Sequence, residues 1–303
     1  MSAGPVAVDS IEDRGPNPHK TPPRRVVLHA FLIFMAITWL FPLAYAVYTS
    51  FRPYGETARL GYASIGGVYN FGNYVNALDR AELPRYFLNT FIILVPTVII
   101  VLFLASMMAF TLSRYSWRAN VLMLMFFTAL NLLPPQIIIT PLFRMYLLLP
   151  MFQPLSDNGT LYNQYFGIAL IHISFQLGFC TFVLSNYMKT LPKELNEAAV
   201  VDGASVWTTY RRVIMPLTKP AIAALATLEV TFIYNDFFWA LILMKPGPKL
   251  PITSAINNLQ GQFFTDNNLV AAGAIMIALP TIIVYFILQK QFVGGLTLGS
   301  TKG

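Results

Sequence analysis

FLNTFIILVPTVIIVLFLASMMAFTL, residues 87–112, runs for 26 residues without a charged side chain. A helix of about 20 apolar residues crosses the hydrocarbon of a bilayer. In water Pro96 would argue against a helix here. In a bundle, neighbouring helices satisfy the backbone group that a proline frees, so a kink is tolerated. Working outward, five further stretches meet the same length: Val26–Thr49, Val121–Phe143, Phe166–Tyr187, Ala221–Met244 and Leu269–Leu288. Pro42, the pair Pro134-Pro135 and Pro280 are read as kinks in the same way. The expectation is an all-α membrane protein with six transmembrane helices.

Composition agrees. Of 303 residues, 56% are hydrophobic and 11% charged, against roughly 25% charged in a soluble domain. A core built from so short a chain cannot absorb that apolar surface, so lipid is the expected solvent. The net charge of +7 then reflects Lys and Arg gathered on one side of a membrane, not a nucleic-acid partner. The single cysteine, Cys180, excludes an intrachain disulfide and a thiolate-built metal site. It reads as a small hydrophobe within a helix. Residues 1–25 are hydrophilic and proline-rich, ending HKTPPRR. They read as a disordered leader ahead of an uncleaved anchor. The domain reading is a leader at 1–25, one six-helix domain at 26–292 and a tail at 293–303.

Placing the N-terminus inside puts 13 Lys and Arg on that side and seven on the other, which predicts both termini in the cytoplasm. The outer segments 50–86, 144–165 and 245–268, rich in Gly, Asn, Tyr and Pro, are expected to be ordered loops with short helices.

The longest inner loop is Met188–Lys219, MKTLPKELNEAAVVDGASVWTTYRRVIMPLTK. Pro192 suits a first helical turn and Glu194 suits a helix N-terminus. Glu194–Val201 is made of good helix formers, and Asp202-Gly203 supplies the stop, because glycine accepts a left-handed C-terminal position. Ser205 is placed to cap a second helix, Val206–Val213, which Pro216 would end. The loop is predicted to be a helix–turn–helix, with Ala198 and Ala199 forming a bare face suited to a partner's groove.

At this loop the chain resembles a known family. Glu197-Ala198-Ala199, three residues, Gly203, nine residues, Val213, one residue, Met215-Pro216 is similar to the EAA loop of ABC importer permeases. The general form of that loop is EAA, three residues, G, nine residues, I, one residue, LP. Val for Ile and Met for Leu are the departures. IYNDFFWALIL at 233–243, QKQFVGGLTLGSTKG at 289–303, FGNYVNAL at 71–78 and RYFLNTFII at 85–93 are similar to segments of maltose-type sugar permeases. The resemblance covers most of residues 26–303. It implies a type I ABC importer permease fold in a bacterial-type plasma membrane. It also implies a second permease subunit, two ATPase subunits that bind ATP and Mg, an extracellular solute-binding protein and a sugar as cargo. In that reading Glu197 pairs with a basic group on an ATPase, Ala198 and Ala199 pack closely against it, and Gly203 permits the turn. No GxxxxGK[ST] phosphate loop is present, so the chain is expected to hold no nucleotide or other cofactor and to perform no covalent chemistry.

Polar groups inside spans are costly and usually face the bundle interior. Asn235 and Asp236, beside Tyr234, Phe237 and Trp239, combine amide, carboxylate and aromatic groups of the kind that recognise a sugar. Equally, Asp236 would serve to hold two helices together. Glu229, seven residues earlier, is expected on the same helical face as Asp236, reaching an interface or another subunit. Gln176, one turn beyond His172, is a further candidate on the solute path. A stand-alone secondary transporter or channel, using Glu229, Asp236 and His172, is the competing reading. It leaves the EAA spacing without a role. A membrane enzyme using Asp236 and His172 as acid and base has no further motif behind it.

Overall fold

A computed structural model describes residues 23–80, 82–259 and 265–297. The first 22 residues of the expected leader and positions 298–303 of the expected tail lie outside them. Among the described residues the chain is helical, and a lone bridge between Pro150 and Thr160 is the sole β pairing. In chain order the helices are α1 (Pro23–Ser50), α2 (Tyr54–Leu60), α3 (Gly72–Arg80), α4 (Leu83–Arg114), α5 (Asn120–Leu132), α6 (Ile139–Leu148) and α7 (Tyr165–Thr190). Then come α8 (Glu194–Val201), α9 (Val206–Thr208), α10 (Met215–Tyr234), α11 (Phe238–Leu243), α12 (Ile252–Ala255) and α13 (Asn267–Thr297). Five segments are long and apolar enough to cross a membrane, and six if the bent pair α5 and α6 counts as one.

Residues up to Tyr48 form one unit and residues from Thr49 a second. The first is α1, an apolar helix whose large side chains, among them Trp39 and Phe41, are exposed. In the second, α4 packs along α7 and α10 packs against α4, α7 and α13. Between helices in lipid the driving force is close packing and hydrogen bonding, since lipid tails are as apolar as leucine. Small side chains on α4 provide the closeness: Ala105 and Ala109, one turn apart, are fully buried. Hydrogen bonds add the specificity. The Tyr234 hydroxyl donates to the Ile277 carbonyl at 2.7 Å, tying α10 to α13. Asn89 donates to the carbonyls of Pro248 (2.7 Å) and Leu250 (2.9 Å) and accepts from the Tyr165 hydroxyl at 2.7 Å.

Three expected spans change shape. Val121–Phe143 is not one helix. α5 ends at Leu132 and turns by 86° into a 3-10 turn at Pro135–Ile138 that leads into α6. Leu133 and Pro134 are extended (ψ 128° and 126°), because each precedes a proline whose ring disfavours helix there. Ala221–Met244 is likewise two helices, α10 and α11, parted at Asn235–Phe237. The cause is local side-chain bonding. Asn235 Nδ2 turns back onto the Thr231 carbonyl at 2.8 Å, and the Asp236 carboxylate accepts the amides of Trp239 (3.1 Å) and Ala240 (3.3 Å), starting a new helix. The sixth span runs past Leu288 to Thr297, through positions assigned to the tail. Hydropathy marks where lipid ends, whereas Gln289, Lys290 and Gln291 are good helix formers and no proline comes after Pro280.

Among the described residues, the segments 50–86, 144–165 and 245–268 carry short helices. Arg52 is fully buried and donates to the carbonyls of Gly61 and Ser64, both at 3.1 Å, and to Ser64 Oγ at 2.6 Å. Asn268, at the head of α13, donates to the Arg52 carbonyl and to Thr57 Oγ1, each at 2.8 Å.

Candidate functional site

The loop Met188–Lys219 forms α8 over the residues expected, Glu194–Val201. Its end is a Schellman motif: Ala204 N donates to Ala199 O at 2.9 Å, and Gly203 N to Val200 O at 3.0 Å. Gly203 takes φ +75°, a conformation that a Cβ penalises. Ser205 caps α9, its Oγ accepting the Thr208 amide at 3.2 Å.

Beyond that cap the expectation fails. Val206–Val213 is not a separate helix and Pro216 does not end one. α9 passes into a π turn, Thr209–Ile214, and directly into α10. Pro216 would clash with the carbonyl four residues back and has no N–H to bond it. The wider turn resolves both, because Met215 N reaches back five residues to Tyr210 O. The loop is therefore continuous with a spanning helix. It is also fastened to a second one, through Tyr210 OH and Ser106 Oγ on α4 at 2.8 Å.

The two alanines separate. Ala198 is exposed, but Ala199 is 7% exposed and packs inward, so it belongs to the anchored side of α8 and not to a bare face. Glu197, Asp202 and Gly203 are exposed, as is Pro216. Among the described residues no cation pairs with Glu197. The most exposed large apolar side chain of α8 is Val201, 87% exposed, ahead of Val200 at 62%; sequence reasoning treated Val201 only as a helix former. The signal was its position three residues after Ala198, on the same face.

In the spans, α7 and the α10–α11 break meet. His172 Nε2 and Asp236 Oδ2 approach to 3.3 Å, and both side chains are buried. Asp236 also takes the Thr253 hydroxyl on its backbone carbonyl. Trp239 is buried beside Phe175, ring centroids 5.3 Å apart. Asp236, Trp239 and Tyr234 thus tie the α10–α11 break to α7, α12 and α13. Asn235 and Phe237 are exposed and Gln176 is half-buried. Next to Phe175, an apolar cavity of about 260 Å³ lies between α7 and the Pro134-Pro135 break.

Glu229 shares no helix with Asp236, because α10 ends first, and it reaches no surface. It is fully buried, and Cys180 Sγ on α7 donates to its Oε1 at 3.1 Å. No group of three or more metal-ligating side chains occurs among the described residues.

Residues 101–296 match the family described as binding-protein-dependent transport system inner membrane component. The chain belongs to that family. The permease is 30% identical to a probable ABC transporter permease of Pyrococcus horikoshii, over 86% of this chain and 92% of that one. It is also 30% identical to the xylose/arabinose import permease of Haloferax volcanii, over 90% and 92%. A bacterial ABC transporter involved in the import of the acidic polysaccharide alginate contains a chain of the same fold. Its TM-score is 0.71 at 22% identity, covering 91% of this chain and all of that one. The permease is therefore a multi-pass membrane component of an ABC importer. The stand-alone transporter and enzyme readings give way to it.

Proposed function

We propose that the chain is one of two permease subunits enclosing the path of a mono- or oligosaccharide, delivered by an extracellular binding protein. In this reading two partner ATPase subunits bind ATP and Mg, and both termini of the chain lie in the cytoplasm. α8 is the docking element. Glu197 meets a cation of the ATPase, Ala198 and Val201 enter its groove, and Asp202 with Gly203 closes the turn that sets the angle of entry. The observation that carries the proposal is the construction of α8: a short helix locked at its end, exposed along Glu197, Ala198 and Val201, and continuous with α10. Identity to a xylose/arabinose permease supports the sugar.

Coupling requires contacts that differ between two states. When the ATPases close on ATP, a shift of α8 passes to α10 through the π turn and to α4 through Tyr210 and Ser106. Asn235, Phe237 and Gln176 face the solute, while Tyr234, Asp236 and Trp239 hold the wall that carries them.

The test is to co-express the tagged chain with the genes beside it, purify in mild detergent and reconstitute in liposomes. ATP-dependent uptake of a radiolabelled pentose or disaccharide, requiring a co-purifying ATPase and a soluble binding protein, is the expected result. Uptake that proceeds without ATP would overturn it.

A further inference from the structure

The last turn of α4, the first turn of α5 and the last turn of α7 end together beside α8. Between them lies a pocket of about 430 Å³ whose polar lining includes Arg114, Lys189, Lys193, Asn120 and Asn196, with Glu197 as its one carboxylate. The Arg114 guanidinium is only partly used. Nη1 donates to the carbonyls of Leu191 (3.2 Å) and Pro192 (3.4 Å), whereas Nε and Nη2 are buried without an acceptor. The two asparagines present the opposite lack. Asn120 spends Nδ2 on the carbonyls of Leu112 and Tyr115, and its Oδ1, like that of Asn196, is buried without a donor. Buried polar groups are seldom left unpaired, and a charged donor least of all.

A ligand that completes this set needs anionic oxygens for Arg114 and the two lysines, and hydroxyl donors for the asparagines. Its surroundings add a third requirement. Val121 on α5 is 63% exposed beside the pocket, and Tyr115 and Trp117 are exposed at the level where the apolar helices end, the position of interfacial aromatics. A phosphate with a neighbouring glycerol and an apolar tail meets all three requirements. We propose that this pocket binds the phosphoglycerol head group of an anionic phospholipid, with an acyl chain lying along α5. Basic pockets between helix ends on the cytoplasmic side hold such head groups through the same chemistry. The proposal rests on the permease reading for which leaflet supplies the lipid. An occupied pocket braces α8 against α4 and α7, so coupling becomes sensitive to the anionic content of the membrane.

The test is native mass spectrometry of the full-length chain, purified in mild detergent and titrated with phosphatidylglycerol or phosphatidylcholine. Wild type and the distant control R144Q are expected to retain phosphatidylglycerol in preference to phosphatidylcholine. K189Q/K193Q is expected to bind it about thirtyfold more weakly, about 1 kcal/mol for each cation lost. R114Q removes the central donor but also a tether of α8, so the lysine pair is the decisive variant. Equal retention by wild type and K189Q/K193Q would overturn the site. Displacement of the lipid by millimolar inorganic phosphate would show a free-anion site instead, and its displacement by an added ATPase subunit would show a protein contact. Either result overturns the lipid assignment. The readout needs no ATPase, so retained lipid in a chain that couples to no ATPase would separate failure of the permease reading from failure of this one.

Discussion

Ser106 Oγ on α4 and the Tyr210 hydroxyl in the π turn lie 2.8 Å apart, both buried, and they join a spanning helix to the loop that carries α8. Ser106 Oγ also donates to the Phe103 carbonyl at 2.8 Å, so Tyr210 is the donor between the two. S106A leaves the tyrosine hydroxyl unsatisfied, at a cost of about 1–3 kcal/mol, whereas Y210F removes one bond and leaves Ser106 paired, at about 0.5–1.5 kcal/mol. S106A and Y210F should each lower the thermal unfolding midpoint in detergent. The double variant should fall short of their sum, since the two changes remove one bond. Additive losses would mean that the two hydroxyls act independently.

Gly203 is expected to be intolerant for a backbone reason. A Cβ there has open space, so crowding is not the obstacle; φ +75° is. G203V should strain the Schellman closure by about 1–3 kcal/mol. The expected phenotype is normal membrane insertion with loss of ATPase co-purification. G203N, which tolerates the left-handed region, should retain most of it. Equal behaviour of the two variants would remove backbone conformation as the cause.

The faces of α8 should separate in mutagenesis. E197A and A198L alter exposed positions and should shift stability by no more than about 0.5 kcal/mol, while strongly reducing sugar-stimulated ATP hydrolysis. A199L overpacks a buried position and should cost about 1–3 kcal/mol, with the loss visible in the unfolding midpoint. If A198L destabilises as much as A199L, the assignment of the two faces is wrong.

Cys180 and Glu229 form a buried pair between α7 and α10. C180A deprives a buried carboxyl of a donor and should destabilise by about 1–3 kcal/mol. C180A/E229L removes both polar partners and should be near wild type in stability, because an apolar replacement often equals a buried polar pair. A double variant less stable than C180A would show that Glu229 has another partner in the bundle.

In the spans, residues that brace the bundle and those proposed to face the solute are expected to diverge. D236A uncaps α11 and should cost about 0.5–2 kcal/mol in the unfolding midpoint. Q176A should leave that midpoint in place and raise the sugar concentration for half-maximal uptake, whereas N235A, which also removes the bond to the Thr231 carbonyl, should raise that concentration and lower the midpoint as well.

The sequence by itself determined the solvent, the number of apolar segments, the bounds of α8 and its glycine stop. These depend on composition, on runs of consecutive residues and on the one residue type that accepts a left-handed turn, all of which are local. It did not determine what Asp236, Pro216 and Ala199 do. A carboxylate in a span reads equally as a ligand or a brace until the amides of Trp239 and Ala240 are seen on it. Pro216 reads as a stop because the proline rule assumes an α-helix, whereas the π turn ahead of it removes the need for its N–H. Ala198 and Ala199 are neighbours of the same size, and only the docking of α8 onto the bundle decides which is free. The pairing of Cys180 with Glu229, 49 residues apart in the chain, belongs to the same class. Polar partners inside a membrane protein are chosen by which helix faces meet, and that is set by the packing of α4, α7 and α10 together rather than by any one segment.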